Sequence, residues 1–67
     1  MITIYINKNK YAVNKNSTLQ QVLTQFNFVN DYMAVAVNKL FIMRAAYAET
    51  IVAANDEIDI VTPMQGG

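Results

Sequence analysis

The 67-residue chain has no cysteine and no histidine. That removes thiolate nucleophiles, imidazole bases and the usual zinc ligands. The residues whose type and spacing still suggest chemistry stand at the end: Thr62-Pro63-Met64-Gln65-Gly66-Gly67. The sequence has two glycines, and both are in that terminal pair. Composition alone would scatter them among the turns. Pro63 lacks an amide hydrogen and cannot continue a central ladder, so it marks where the last strand leaves its sheet. A frayed terminus carrying glycine by chance is the plain alternative. On the chemical reading, a peptide without side chains threads a narrow channel that any Cβ would block. The α-carboxylate of Gly67 is then the group delivered to a partner's active site. A carboxylate is a weak nucleophile, but it attacks the α-phosphorus of ATP when an enzyme positions both and neutralises charge. The product is an acyl-adenylate, open to attack by sulfur or nitrogen. The chain supplies no catalytic side chain of its own.

The rest of the sequence must present that end. Ile2, Ile4 and Ile6 alternate with Thr3 and Tyr5, the period of a half-buried strand. Asn7 to Lys10 is polar and turn-like, and Tyr11 to Val13 resumes a strand, so a hairpin is expected. Ser17 followed by Gln20 fits a capping box. Leu19, Val22, Leu23 and Phe26 then form one helical stripe, with Gln20, Gln21, Thr24 and Gln25 off it. Asn27 and Asn30-Asp31 offer the stop and the loop. Tyr32 to Val37 and Leu40 to Met43 read as strands around an Asn38-Lys39 turn. Arg44 to Glu49 is a turn of helix, Asn55-Asp56 a turn, and Glu57 to Val61 the last strand with Ile58 and Ile60 facing in.

This order, β-β-α-β-β-(short α)-β, predicts an α+β domain over residues 1–62 and a flexible tail over 63–67. The helix can bury its stripe only against one sheet face. The arrangement is the β-grasp, or ubiquitin-like, fold: a mixed sheet of four to five strands with one main helix on one face. Its first and last strands are expected to be central and parallel.

Composition narrows the function classes further. A hydrophobic share of 54% argues against disorder. Five basic and five acidic residues give zero net charge with no basic run, which disfavours nucleic acid. No apolar run approaches the roughly 20 residues of a membrane span, and no signal-peptide pattern opens the chain. A cytoplasmic protein without bound metal or cofactor is expected.

Partners must grip the body while the tail is threaded. Strand parity places Thr3, Tyr5, Asp59 and Val61 on the face away from the helix. Phe41 and Met43 share one parity, Leu40 and Ile42 the other. Either Phe41 belongs to an exposed apolar patch near the tail, or it sits in the core with Leu40 partly exposed. The docking reading takes the first arrangement, with Tyr5, Phe41, Val61 and Met64 as candidate contacts.

Several segments carry a family resemblance: the I-x-I-x-x-N opening, V-A-V-N-K-L-F-I-M-R from Val35 to Arg44, D-E-I-D-I-V from Asp56 to Val61, and Gly66-Gly67. Over essentially its whole length the chain resembles the ThiS family of thiamine biosynthesis. The family usually has Gly-Asp before the last strand, where this chain has Asn55-Asp56. The change is tolerable because Asn also accepts left-handed geometry. The resemblance implies a sulfur carrier. A ThiF-type adenylyltransferase would activate Gly67 with ATP and magnesium. Sulfur relayed from a donor such as a cysteine desulfurase would make the thiocarboxylate, and a ThiG-type thiazole synthase would consume it. The small subunit of molybdopterin synthase and a ubiquitin-like protein modifier would use the same terminus. A plain binding module with an inert tail is the remaining alternative.

Overall fold

The computed structural model describes residues 1–28 and 32–62. Strands β1 (Ile2–Ile6) and β2 (Asn9–Val13) form the first hairpin, and helix α1 (Leu19–Gln25) follows. Strands β3 (Ala34–Val37) and β4 (Leu40–Ile42) form the second hairpin. A 3₁₀ turn (Arg44–Ala46) leads to β5 (Glu57–Val61). The strands among the described residues join one five-stranded sheet in the order β2-β1-β5-β3-β4. β5 runs parallel to β1 and antiparallel to β3. The two terminal strands are therefore interior and parallel, as the alternating isoleucines suggest.

Both hairpins turn on an Asn-Lys pair. Asn7 and Lys8 have φ of 50° and 71°, and Asn38 and Lys39 have 51° and 70°. Two consecutive left-handed residues make a type I′ turn, whose twist matches the flanking strands. The first turn is consequently tighter than the sequence suggests, and β2 begins at Asn9 instead of Tyr11. Asn16, Asn27 and Asn55 also have positive φ. Asparagine, with lysine in the hairpins, thus takes the role glycine usually has in such turns.

The helix start is one residue later than expected. Thr18 is the N-cap: its Oγ1 accepts from the Gln21 amide at 3.1 Å, and the Thr18 amide donates to Gln21 Oε1 at 2.9 Å. Ser17 instead donates from Oγ to the Asn14 carbonyl at 2.7 Å. Tertiary structure decides between the two. The Leu19 amide donates to Thr50 O and the Val52 amide to Ser17 O, pinning this stretch to the chain around Ile51. At the other end Asn27 is left-handed, the Asn27 amide reaches Thr24 O, and the Phe28 amide reaches Leu23 O. That is a Schellman cap. Asn30 and Asp31, the expected loop, lie outside the described residues.

The core lies between the helix and one sheet face. It comprises Ile4, Ile6, Val13, Leu19, Val22, Leu23, Val35, Tyr47, Val52 and Ile58. Burying each large aliphatic side chain stabilises by about 1.5–3 kcal/mol. Phe26 completes the helical stripe at the sheet's edge, where its ring lies 4.6 Å from that of Tyr11. Ile58 is buried and Ile60 half-buried, both on the helix side. β3 starts at Ala34, later than Tyr32, and β4 ends at Ile42. The expected helical turn after Arg44 is a short 3₁₀ segment, and the Tyr47 that follows it enters the core. No helix among the described residues is long and apolar enough to cross a membrane.

Candidate functional site

The helix-free face is built from odd residues of β1 and β5 and even residues of β3. Thr3 and Tyr5 of β1 share it with Glu57, Asp59 and Val61 of β5, and Tyr5 is level with Glu57. Ala36 of β3 faces Asp59 on one side and Phe41 of β4 on the other. Ala34 pairs with Val61 in the last rung of β5. Met43 follows Ile42, which is paired to Val35, so it lies at the same end of the sheet.

That register gathers apolar side chains where β5 ends. Phe41 is 71% exposed, Met43 76% and Val61 60%. Of the two arrangements open at Phe41, the structure has the exposed one. Leu40 is exposed as well, at the start of the edge strand β4. Tyr5 shares the face but not the cluster. It is three strands from Phe41, about 14 Å across the sheet at the usual spacing. It lines a depression of about 360 Å³ with Lys8, Lys39, Glu57, Ile58 and Asp59. Met64, Gly66 and Gly67, with Pro63 and Gln65, lie outside the described residues.

Among the described residues no charged side chain is buried. None of their Asp and Glu side chains forms a cluster of three or more suited to a metal ion. The described residues therefore offer no enclosed acid–base pair.

Sequence reasoning missed one polar feature of this region. The side-chain oxygen of Asn7 accepts a hydrogen bond from the Ile60 amide at 2.8 Å. The two residues are 53 positions apart. An asparagine after three alternating isoleucines signals a turn, and nothing local reveals its distant partner.

The interior parallel pair of first and last strands, with α1 laid across one face, makes this domain a β-grasp, ubiquitin-like protein. The model of the ThiS family matches residues 3–67. The chain belongs to the ThiS family, and its role is that of a sulfur carrier in thiamine biosynthesis. Among solved structures it is similar to a thiamine biosynthesis protein (ThiS) from Geobacter metallireducens, with 20% identity and a TM-score of 0.84. That match covers 98% of this chain and 100% of the other. No curated protein sequence matches significantly.

Proposed function

We propose that the Gly67 carboxylate is the sulfur-carrying group. One of its oxygens attacks the α-phosphorus of ATP in a ThiF-type adenylyltransferase, forming the acyl-adenylate as pyrophosphate leaves. Magnesium on that enzyme offsets the phosphate charge. The terminal sulfur of a persulfide, supplied through a donor such as a cysteine desulfurase, then attacks the acyl carbon and AMP departs; a thiol cleaves the acyl disulfide so formed, taking the donor's sulfur into a disulfide and releasing the acyl sulfur as the thiocarboxylate. The resulting thiocarboxylate is the sulfur source for a ThiG-type thiazole synthase. In this reading the chain is a co-substrate without turnover of its own, binds no cofactor, and works in the cytoplasm. Gly66 and Gly67 pass through the partner's channel because neither carries a Cβ.

The observation that carries this reading is the family match, which runs through the terminal glycine pair. The apolar cluster of Phe41, Met43 and Val61 supports a grip beside the strand that leads to the tail, with Met64 and Tyr5 as further contacts. The test is intact-mass analysis after incubation with ATP, magnesium, the adenylyltransferase and a sulfur source. The expected result is a mass gain equal to one oxygen exchanged for one sulfur, mapped to Gly67. A sulfur label elsewhere, or none, would refute it.

A further inference from the structure

We infer that Asn7 is a positioning residue for the departure of the terminal segment: its side-chain amide extends the parallel ladder one rung past the end of β1 and holds β5 just before it releases the chain. The inference rests on the reading of Gly67 given above.

The Tyr5 amide donates to Asp56 O at 2.9 Å and the Asn7 amide to Ile58 O at 2.8 Å. In a parallel ladder the next bond in this series would run from the Ile60 amide to the backbone carbonyl of residue 7. β1 has ended by then, because Asn7 turns away with φ of 50°. The Asn7 side-chain oxygen takes that carbonyl's place at 2.8 Å. Ile60 immediately precedes Val61, which closes β5, and on the opposite flank Val61 pairs with Ala34. Both flanks of β5 are thus held up to its last two residues. Without the amide, only β3 would hold them.

The first residue of the other Asn-Lys turn does the same at the opposite end of β5. Asn38 Oδ1 accepts from the Glu57 amide at 3.0 Å, and Asn38 Nδ2 donates to Asp56 Oδ1 at 3.0 Å. The two asparagines grip one strand from opposite sides. Only Asn7 does so at the exit.

Reacting atoms must be placed to well under about 1 Å. The end of β5 is the fixed point from which the remaining residues start, and loosening it puts that starting point in error. A partner would have to correct that error on binding, so the loss appears in KM.

Three variants test this. Asn7→Gly keeps the left-handed turn, which glycine favours, and removes the acceptor. Asn7→Asp keeps both. Asn38→Gly removes a comparable grip at the far end. The readouts are Ile60 amide exchange by NMR, urea stability, and KM and kcat for adenylation of the carrier. For Asn7→Gly we expect Ile60 exchange about tenfold faster. KM should rise about fivefold while kcat stays within about twofold. Asn7→Asp should match wild type, and Asn38→Gly should lose stability without a change in KM. An unchanged KM in Asn7→Gly, its failure to fold, or an equal rise in Asn38→Gly would overturn the inference. Failure of the wild-type chain to be adenylated would be a separate result, refuting the Gly67 reading and this inference with it.

Discussion

Phe41 lies directly across the β3–β4 ladder from Ala36, which in turn faces Asp59 of β5. The small alanine leaves the aromatic ring standing on the helix-free face, one strand removed from β5, which carries the chain toward its terminus. Phe41 lies outside the core cluster. Phe41→Asp should therefore change folding stability by no more than about 1 kcal/mol. It should weaken binding to the adenylyltransferase about tenfold or more. Calorimetric titration beside a thermal melt separates the two effects. Loss of the fold would place Phe41 in the core's service instead.

The terminal pair invites a steric test. Gly66→Val adds a branched side chain where a narrow channel is expected, and should slow thiocarboxylate formation about a hundredfold. The urea midpoint should not move. Intact-mass time courses give the rate. A rate equal to wild type would show that the channel, or the threading, does not exist.

The helix cap can be checked residue by residue. Thr18→Ala removes the Oγ1 that accepts from the Gln21 amide and should cost about 1 kcal/mol. Ser17→Ala, which loses an exposed bond to Asn14 O, should cost less than about 0.5 kcal/mol. Urea unfolding of the pair decides which residue caps the helix.

The core stripe has a matched control two residues away. Leu23 is buried, and Leu23→Ala should cost about 3 kcal/mol, a large share of a small domain's stability. Gln25 is exposed on the same helix, and Gln25→Ala should be close to neutral. Denaturant midpoints at constant slope give both values.

Much of the fold was legible because its signals are local. Ile2, Ile4 and Ile6 have the period of a strand, and Leu19, Val22 and Leu23 that of a helix. Both survive in the structure because one face of each element is buried. What escaped was set by distant partners. Ser17-Gln20 and Thr18-Gln21 are adjacent, equally good capping boxes, and the bonds to Thr50 and Val52 choose between them. Tyr47 enters the core from a segment too short to show periodicity. In the candidate site, the exposure of Phe41 is one of the two arrangements that strand parity left open. The clustering of Met43 with Val61 depends on the register of two ladders, and the Asn7–Ile60 bond on a pairing across most of the chain.

The place of β5 between β1 and β3 has a mechanical consequence. β1 and β5 run parallel, so the start of β1 and the end of β5 lie at opposite ends of the sheet. Tension applied along the axis of β5 at Val61 loads the bonds to both neighbours at once, in shear. It does not peel them singly, as it would from an edge. A partner that pulled along that axis would therefore meet both ladders together, and the body would resist it as a unit.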